Sequence, residues 1–433
     1  MNIYSLLKKL IPGWLKTLII NFYYSKFSTQ IKIKNVRFKQ NLAVKRLKKK
    51  DNCNVIFLSL FDSIWKYEDL YNLLIKDSRF TVTVVVIPHI FKGNIQMEIY
   101  NKTLNYFKNN SYNTFSSYYE ENNTWLDIKS ILKPDIIFFT LPYSYTLKKY
   151  TINNFLDRLT CYVPYNFGNS HLFQLMHNQL FHNLVWRFFA ESHTHKMYSE
   201  KNASNKGANV KVTGYPGVDK LLRKDYSAAF NWKLKDPSII KIIWAPHHTI
   251  DDDKSFLSYS SFLLYSDVFI KIAEKYQNKV QFAFKPHPIL KNKLYNHKDW
   301  GKKRADKYYM LWEEMENGIL SDGYYIDLFL TSDAMIHDSG SFLIEYLYTG
   351  NPVLHTNRDE KITDRLNSFG TSAFNQHYHA KCEIDVINFI ENLILKIDPK
   401  KKSRKEHFKK YLVPPNGCSA SNNVYNEIVQ TLF

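Results

Sequence analysis

The chain has 433 residues, of which 45% are hydrophobic and 23% charged, and this composition excludes global disorder. Its 59 Lys and Arg against 40 Asp and Glu give a formal net charge of +19, which favours anionic partners such as phosphate groups, nucleic acid or acidic lipid. Because Lys, Asn, Ile and Tyr are abundant together while Gly is scarce, a bias in composition is the alternative origin of this charge. The four scattered Cys exclude a disulfide scaffold and a zinc ribbon.

The amino-terminal residues 1–25 carry apolar side chains at helical spacing with lysines between them. No apolar run approaches the ~20 residues that span a bilayer, and the segment has no signal-peptide cleavage site. It fits a helix lying in a membrane interface, or equally a basic helix docked on the protein itself. The basic stretch 31–50 either contacts anionic lipid or is a solvated connector. We therefore treat residues 1–50 as a basic amphipathic N-terminal segment.

From residue 54 onward, short apolar strands alternate with helices, and this alternation predicts parallel α/β structure. In the first half, the predicted strands are 54–60, 80–88, 135–143 and 161–166, and the predicted helices are 62–77 and one near 124–132. In the second half, strands with their following loops are predicted at 239–248, 280–288 and 351–356, helices at 257–277 and 339–350, and a short helix plus a strand within 325–338. The halves predict two Rossmann-like domains, 51–222 and 223–410, followed by a C-terminal tail or helix at 411–433.

The strongest motif is the turn after Asp338, where a predicted strand ends. Ser339, Gly340 and Ser341 open a helix there, and free backbone N–H groups at a helix start attract anions. The small residues let phosphate oxygens approach, and the hydroxyls can donate hydrogen bonds. Glu345, one turn later, can accept hydrogen bonds from a ribose or polyol hydroxyl. The alternative is an ordinary helix cap without a ligand.

Two loops that follow predicted strands carry histidines. Lys285 and His287 lie in FKPHP, where a histidine can stabilise a phosphate or protonate a leaving group; the alternative is a loop histidine with a backbone partner. The loop after the other strand can bind a diphosphate through Pro246, His247, His248 and Thr249. Since no carboxylate or Cys accompanies the paired histidines at suitable spacing, we expect no metal there. His355, after the next strand, is a weaker candidate.

The segment CYVPYNFGNSH, residues 161–171, ends the last predicted strand of the first half. Asn166 or His171 can contact a second substrate or serve as a base, but Asn and Gly favour turns without any function as well. The sequence has no P-loop, no intact GxGxxG and no nucleophile elbow.

Short motifs of the second half resemble, in order, those of the CDP-glycerol glycerophosphotransferase family, the teichoic-acid primase and polymerase group. They are GYP (214–216) with Asp219, APHHT (245–249), KPHP (285–288), DSGS (338–341) with Glu345, PVL (352–354) and NGCSAS (416–421). The resemblance covers about residues 205–425, whereas the first half matches only in strand pattern. Two places depart from the family. YNFGN (165–169) stands where the family has W-H-G-T-P, whose His is taken as the base, and Thr249 or a neighbour stands where it often has Arg.

The resemblance implies a GT-B-like α/β fold, with two Rossmann-like domains facing a cleft, an acceptor domain at 51–222 and a nucleotide-donor domain at 223–410. It implies a transferase that moves glycerol or ribitol phosphate from a CDP-activated donor to a glycan or polyol hydroxyl and releases CMP. The product would be a bacterial surface polysaccharide or a teichoic-acid-like polymer. His287 would stabilise the diphosphate or leaving group, the turn at 339–341 would hold phosphate, and Glu345 would bind a donor hydroxyl. No cofactor or metal is expected.

Three alternatives stay open at this point. A GT-B glycosyltransferase of capsule or lipopolysaccharide assembly would use a nucleotide sugar at much the same phosphate site. A non-catalytic membrane-associated scaffold fits the missing acceptor-side His. A nucleic-acid-binding module fits the charge, but no motif of that class is present. The expected partners are thus a CDP-polyol or nucleotide-sugar donor, a lipid-linked or glycan acceptor and an anionic membrane surface, without nucleic acid. The expected location is cytoplasmic, with peripheral attachment to the inner face of the cytoplasmic membrane left open.

Overall fold

The computed structural model describes residues 26–250, 259–359 and 361–433. The amphipathic helix predicted within residues 1–25, either interfacial or docked on the protein, therefore lies outside the described residues. Among the helices that are described, none combines the length and apolar character needed to cross a membrane.

The strands of the described residues are β1 (Cys53–Ser59), β2 (Phe80–Val86), β3 (Ile90–Phe91), β4 (Asn94–Ile95), β5 (Thr114–Ser116), β6 (Tyr118–Tyr119), β7 (Thr124–Trp125), β8 (Ile136–Phe139), β9 (Leu159–Tyr162), β10 (Arg187–Ala190), β11 (Val210–Val212), β12 (Ile240–Ala245), β13 (Val280–Phe284), β14 (Gly318–Leu320), β15 (Ala334–His337), β16 (Val353–Thr356) and β17 (Tyr378–Ala380).

The α-helices are α1 (Lys26–Leu47), α2 (Glu68–Ile75), α3 (Met97–Asn109), α4 (Ile128–Leu132), α5 (Phe173–His177), α6 (Leu180–Leu184), α7 (His193–Asn202), α8 (Asp219–Leu222), α9 (Phe262–Lys275), α10 (Leu290–Tyr295), α11 (Gly301–Glu314), α12 (Ile326–Thr331), α13 (Phe342–Glu345), α14 (Ser368–Phe374), α15 (Glu383–Ile394), α16 (Lys401–Tyr411) and α17 (Ala420–Leu432).

The chain forms two compact units, and neither is continuous in sequence. Unit 1 comprises residues 1–165, 172–217 and 414–433, and unit 2 comprises residues 166–171 and 218–413. The units therefore differ from the predicted domains in several places. Helix α1, predicted as part of a separate N-terminal segment, belongs to unit 1, and residues 218–222 belong to unit 2. The short segment 166–171 joins unit 2, and the carboxyl-terminal helix α17 returns to unit 1.

Unit 1 is built on a seven-stranded parallel sheet with the order β11-β10-β9-β8-β1-β2-β5. The interior strand β1 has buried side chains on both faces, which explains its continuous apolar run. Phe57 of β1 stacks on Phe138 of β8, with ring centroids 4.7 Å apart. The four strands predicted in this half are confirmed as β1, β2, β8 and β9, but β5, β10 and β11 were not predicted.

Helix α1 shows that one of the two interpretations of the basic stretch 31–50 is wrong. Its buried side chains recur every three or four residues, so one helix face packs against unit 1. They are Ile33, Val36, Gln40, Ala43 and Leu47. Ile33 and Val36 join the same core cluster as the strand residue Leu58. The stretch is therefore not a solvated connector, although its other faces carry exposed lysines.

Two of the family-like motifs meet inside unit 1. Gly214 has a φ of +87°, and a Cβ there would lie 2.9 Å from the Pro414 side chain and 3.1 Å from that of Ala420. Only glycine combines this backbone conformation with so close an approach. Asn423 Nδ2 donates to Thr213 O over 3.1 Å. The GYP and NGCSAS motifs thus hold the carboxyl-terminal helix in place.

Unit 2 is built on a six-stranded parallel sheet with the order β14-β13-β12-β15-β16-β17. Its core is aromatic: Trp244 of β12 stacks on Phe269 of α9 with ring centroids 4.1 Å apart, and the Trp312 ring lies 5.6 Å from Trp244. Since β13, β12, β15 and β16 are adjacent and parallel, the loops after them lie at one edge of the sheet.

Candidate functional site

Three sequence motifs meet at this edge of unit 2. The His287 backbone N–H donates to Pro246 O over 3.0 Å, and the His247 N–H donates to Asp338 Oδ1. One main-chain hydrogen bond therefore joins the APHHT and KPHP loops, and one from a main-chain N–H to the Asp338 side chain joins APHHT to DSGS. The order of strands in the sheet explains this, because β12 lies between β13 and β15.

These loops bring three partly buried imidazoles together. The ring centroids of His248 lie 4.3 Å from His247 and 4.2 Å from His287, and those of His247 and His287 are 5.1 Å apart. One ring nitrogen from each lies within 4.8 Å of the others, a spacing that could hold a metal ion. We call this set the imidazole cluster. Whether it suits a metal or an anion depends on which ring nitrogens carry protons.

Hydrogen bonds indicate which ring nitrogen carries the proton in two of these imidazoles, His287 and His247. At His287, Nδ1 accepts from the Ile289 backbone N–H over 3.2 Å, so in the neutral ring the proton is on Nε2. At His247, Nδ1 lies 3.0 Å from Thr249 Oγ1. That hydroxyl oxygen already accepts from the N–H groups of Tyr259 (2.9 Å) and Ser260 (3.2 Å). Its own hydrogen must therefore go to Nδ1 of His247, which leaves this proton on Nε2 as well.

This arrangement favours an anion over a metal ion. A metal ligand needs a lone pair, but the Nδ1 lone pairs of His247 and His287 accept hydrogen bonds and their Nε2 atoms carry protons. Coordination would require both rings to move a proton and give up those bonds. Two neutral Nε2–H groups, in contrast, are ready donors for phosphate oxygens.

Burial keeps these rings neutral while lysines supply positive charge. Burial lowers the pKa of His287 to about 3, helped by the charges of His248, Lys285 and Lys293. Burial likewise lowers the pKa of His247 well below its usual value. Lys285 is itself buried, which lowers its pKa to about 8, and its ammonium donates to Gly323 O over 2.8 Å. The site is thus electropositive around uncharged imidazoles.

Asp338 organises the main chain around the site. Its carboxylate accepts from the Ser261 N–H (2.6 Å) and hydroxyl (3.0 Å) as well as from the His247 N–H. Burial raises the pKa of this carboxyl to about 6, against those hydrogen bonds, which lower it. The side chain therefore links the APHHT loop to the start of helix α9.

The turn at Ser339–Ser341 precedes a helix shorter than the sequence predicted. Helix α13 has only four residues and continues as a 3-10 turn over Tyr346–Thr349. Ser341 is its N-terminal flanking residue, and its side chain makes no capping hydrogen bond. The Ser339 N–H donates to Nδ1 of His337 over 3.0 Å. Glu345 is buried, and its carboxylate accepts from the Tyr325 hydroxyl.

The segment 166–171 belongs with these loops rather than with the first half. Asn169 Nδ2 donates to Gly340 O over 2.5 Å, and its carbonyl accepts from the Asn367 N–H over 2.8 Å. The His171 N–H donates to Arg365 O over 3.2 Å. Asn166 is partly buried and His171 is exposed. Both candidate residues of this segment are therefore carried by unit 2, together with the phosphate-binding candidates.

Sequence reasoning missed two cations near these loops. Arg358 follows β16, and its Nη1 donates to Thr249 O over 3.1 Å. The guanidinium of Arg365 lies 5.9 Å from the centre of the Tyr259 ring. The signal was available, because Arg358 comes directly after a strand whose carboxyl end was already expected at this edge. A guanidinium thus lies against the Thr249 carbonyl, in the loop where the sequence departs from the family motif.

A second group of histidines lies deeper in unit 2. The ring of His337 lies 5.3 Å from His355 and 5.2 Å from His377, measured between centroids, and all three side chains are buried. We call these the buried histidine triad. Burial lowers the pKa of His355 to about 4 and those of the other two well below their usual value. His355 Nδ1 lies 2.7 Å from Asn357 Oδ1, so this candidate has an internal partner.

Comparison with known families decides the class of protein. The family model described as CDP-glycerol:poly(glycerophosphate) glycerophosphotransferase matches residues 178–430, more than half of the chain. The chain belongs to this glycerophosphotransferase family. It is accordingly a transferase of the CDP-glycerol glycerophosphotransferase type, as the order of its motifs predicted. No curated protein sequence matches the chain.

Solved structures support the fold of this family member over nearly its full length. The S. aureus MnaA–UDP structure is 14% identical and covers 88% of this chain and 98% of its own, with a TM-score of 0.58. The wall teichoic acid polymerase TagF is 11% identical and covers 94% and 97%, with a TM-score of 0.55. A UDP-GlcNAc 2-epimerase from Neisseria meningitidis bound to UDP-GlcNAc is 16% identical and covers 88% and 98%, with a TM-score of 0.51. The predicted GT-B-like α/β class is confirmed.

Proposed function

We propose that unit 2 binds the diphosphate of a CDP-activated polyol and that the enzyme transfers the polyol phosphate to a hydroxyl group of a glycan or polyol, releasing CMP. The observation that carries this proposal is the imidazole cluster, in which His247 and His287 hold their protons on Nε2. Neutral N–H donors beside Lys285 and Lys293 suit the oxygens of a diphosphate. The family description, which names CDP-glycerol, agrees with this chemistry.

In this reaction the acceptor hydroxyl attacks the phosphorus that carries the polyol. The bond from that phosphorus to the bridging oxygen breaks, a new P–O bond to the acceptor forms, and the hydroxyl proton is lost. Negative charge grows on the bridging oxygen as CMP leaves. Positioned donors at that oxygen stabilise the transition state more than the ground state. His287 and His247 are the side chains to which we assign this role.

We assign phosphate contacts to the turn at Ser339, Gly340 and Ser341 and to His248. Because Arg358 lies against Thr249, we assign it the charge that related enzymes place within the loop itself. Asp338 acts as a positioning residue, since its carboxylate holds the main chain of the loop.

Two further assignments concern hydroxyl groups. We assign to Glu345 a hydrogen bond from a hydroxyl group of the CDP-activated substrate. The Tyr325 hydroxyl donates to the same carboxylate. His171 is proposed as the group that takes the acceptor proton, because it is exposed and its segment is anchored to the phosphate turn through Asn169. A His171→Gln variant would then lose turnover while keeping its affinity for CMP. Asn166 is a candidate contact for the acceptor.

The decisive experiment is calorimetric binding of CDP-glycerol, CDP-ribitol, CMP, UDP and GDP, combined with detection of released CMP. Preference for CDP-polyols or CMP, with release of CMP in the presence of an acceptor, is the expected result. Preference for UDP or GDP would replace the proposal with the nucleotide-sugar glycosyltransferase. If no nucleotide bound, only the non-catalytic scaffold would remain.

Gly340 allows the location of the phosphate to be tested. A Cβ at Gly340 would lie 3.8 Å from Asn169 Nδ2 and 3.9 Å from the Tyr259 ring, which are ordinary contacts. Gly340→Ala should therefore fold normally, with an unchanged thermal midpoint. If phosphate oxygens approach this turn closely, the added methyl group should weaken CMP binding by at least about tenfold, the effect of ~1.4 kcal/mol. Unchanged affinity would place the phosphate elsewhere.

We also propose peripheral contact with an anionic membrane through helix α1. Ile31, Phe38 and Leu42 are 45%, 65% and 50% exposed, and spacings of seven and four residues put them on one helix face. The exposed Lys34 and Lys45 lie beside this face. Sedimentation with phosphatidylglycerol vesicles should fall for Phe38→Asp. The matched control is Ile384→Asp, because Ile384 is equally exposed at 66% in unit 2. Equal loss in both variants would contradict the proposal.

A further inference from the structure

Unit 1 has a pocket at the amino ends of its strands, beside helix α1. Its volume is about 500 Å³, within the roughly 300–1,000 Å³ of ligand pockets. Trp186 and Arg187 line it at the start of β10, and Asn209 lines it directly before β11. Open α/β sheets bind their usual ligands at the carboxyl ends of the strands. This cavity, which we call the amino-edge pocket, therefore lies outside the crevice that the fold normally uses.

The charged side chains that line the amino-edge pocket are all cationic. Among the described residues of its wall, Arg37, Arg187 and Lys206 carry charge, and no Asp or Glu is present. Glu427 pairs with Arg187, Oε1 to Nε over 2.7 Å, but the same oxygen also lies 3.1 Å from Lys211 Nζ. One carboxylate thus serves two cations, and the pocket keeps a net positive charge.

Arg37 is only partly used by the fold. Its Nη1 donates to Gln40 Oε1 (2.7 Å) and Val185 O (2.8 Å), and its Nη2 donates to Asn183 O over 3.1 Å. These bonds fasten α1 to the end of helix α6 and use three of the five guanidinium N–H groups. Burial, together with the charge of Arg187, lowers the pKa of Arg37 to about 10. A half-buried cation whose described hydrogen-bond partners are all uncharged is unfavourable unless an anion shares the site.

The side of α1 that lines the pocket adjoins its exposed apolar face. Gln30 and Asn41 line the pocket, Lys34 and Lys45 follow each of them by four residues, and Phe38 follows Lys34 by four more. Each step of four residues advances about 40° around a helix. The order around α1 is therefore pocket rim, lysines, apolar face. A membrane that receives Phe38 would present its head groups on the side of the pocket.

We propose that the amino-edge pocket binds a phosphate-bearing anion, either the head group of an anionic lipid or a soluble phosphate ester. Guanidinium groups bind phosphate oxygens through paired N–H donors, and Arg37 and Arg187 supply two of them in one wall. Arg187 is held in place by the Trp186 ring, whose centre lies 4.3 Å from its Cζ. The exposed Lys206 adds an ammonium at the rim. This site is separate from the imidazole cluster and does not rest on the proposed function.

The test uses the full-length protein with CMP present to occupy the donor site. The probes are sn-glycerol 3-phosphate, followed by calorimetry, and phosphatidylcholine vesicles with and without phosphatidylglycerol, followed by sedimentation. Lys206→Glu reverses one charge of the pocket, and Ala208→Glu adds a carboxylate at an exposed lining residue. Each should weaken binding at least about tenfold with an unchanged thermal midpoint. The matched control is Lys102→Glu, the same substitution at an exposed lysine of α3 in the same unit.

The two probes distinguish the sources of the anion. Losses for sn-glycerol 3-phosphate in both pocket variants, but not in Lys102→Glu, would assign a soluble ester to the pocket. The same pattern for phosphatidylglycerol vesicles alone would assign a lipid head group, and either pattern supports the inference. Binding of neither probe would overturn it, as would undiminished binding in both pocket variants or equal losses in Lys206→Glu and Lys102→Glu. Loss of CMP affinity in Lys206→Glu would also overturn it, because the effect would not be confined to this pocket.

Discussion

If the His287 proton is on Nε2, the substitutions His287→Asn and His287→Gln should weaken binding of the CDP-activated substrate to different extents. In His287→Asn, the side-chain oxygen can take the place of Nδ1 and accept from the Ile289 N–H, as Nδ1 does over 3.2 Å. The group corresponding to Nε2–H is then missing. In His287→Gln, the longer side chain places an N–H donor near the former Nε2 position. We expect His287→Gln to retain more donor binding than His287→Asn.

The magnitude follows from the type of hydrogen bond lost. A hydrogen bond to a charged phosphate oxygen contributes about 1.5–3 kcal/mol, so His287→Asn should bind CDP-glycerol roughly 10- to 150-fold more weakly. His287→Gln should lose less than about tenfold. Because burial lowers the pKa of His287 to about 3, the ring is a neutral donor, and donor binding by the wild type should not change between pH 6 and 8 through this group.

The assay is calorimetry with CDP-glycerol and CMP, followed by single-turnover release of CMP with saturating donor. Thermal midpoints of both variants serve as the control for folding. Equal losses in the two variants would refute the donor role of Nε2. Tight Zn²⁺ binding by the wild type, abolished in both variants, would refute the assignment of protons as well, because it would require a free Nε2 lone pair.

Three further predictions concern the surroundings of this site. Thr249→Val should weaken CMP binding about tenfold, because the hydroxyl that fixes the His247 proton and accepts two amides is lost; Thr249→Ser should restore it in the same calorimetric titration. Gly370→Ala should lower the free energy of unfolding by about 1–3 kcal/mol and weaken CMP binding, because its Cβ would lie 2.4 Å from Asn169 O, as urea unfolding and calorimetry would measure. Because of the buried histidine triad, the free energy of unfolding should fall as the pH falls from 6.5 toward 4, by up to about 1.4 kcal/mol per pH unit for each ring. His377→Asn removes one of the three rings and should reduce this pH dependence by about one third.

The sign of the pH effect follows from the direction of the shifts. Burial places the folded-state pKa of each triad ring below the unfolded value of about 6.5. Below pH 6.5 the unfolded chain takes up protons that the folded chain does not, so stability is lost on acidification. His193→Asn is the matched control, because His193 is exposed. An unchanged slope in His377→Asn would show that the triad does not carry the effect, and a changed slope in His193→Asn would show that the readout is not specific to it.

The sequence predicted the second half well because its chemistry lies in loops that follow apolar strands. Strands such as β12 and β13 are buried and bounded by Pro, so the pattern located their carboxyl ends closely. Because the carboxyl ends of parallel strands share one edge of a sheet, the strand pattern alone placed His247, His287 and Asp338 near one another. The hydrogen bonds among them could not be predicted in this way. The proton on His247 depends in addition on Tyr259 and Ser260, whose N–H groups bind the Thr249 hydroxyl and whose sequence has no recognisable motif.

Contacts between residues far apart in the sequence account for part of what was not predicted. Asn169 lies just after a strand of unit 1, yet its contacts to Gly340 and Asn367 place it in unit 2. Such contacts, which join residues about 170 or more positions apart, leave no local periodicity to read. The same holds for Gly214, whose partner Pro414 is near the carboxyl terminus. Helix α1 was misjudged because its many lysines obscured the buried positions of one face.

The departure at Thr249 has a physical explanation once the contacts are known. An arginine in the loop would supply charge, but it could not accept two backbone amides and donate to His247 as the threonine hydroxyl does. A guanidinium is nevertheless present at this loop, because Arg358 reaches the Thr249 carbonyl from the loop after β16. The loop after β12 therefore contributes the hydroxyl that binds His247, and the loop after β16 contributes the guanidinium. The threonine fixes the direction of an imidazole donor, and the arginine supplies a guanidinium at the same place. A motif comparison registers this only as a missing arginine, because the replacement lies about a hundred residues later in the chain.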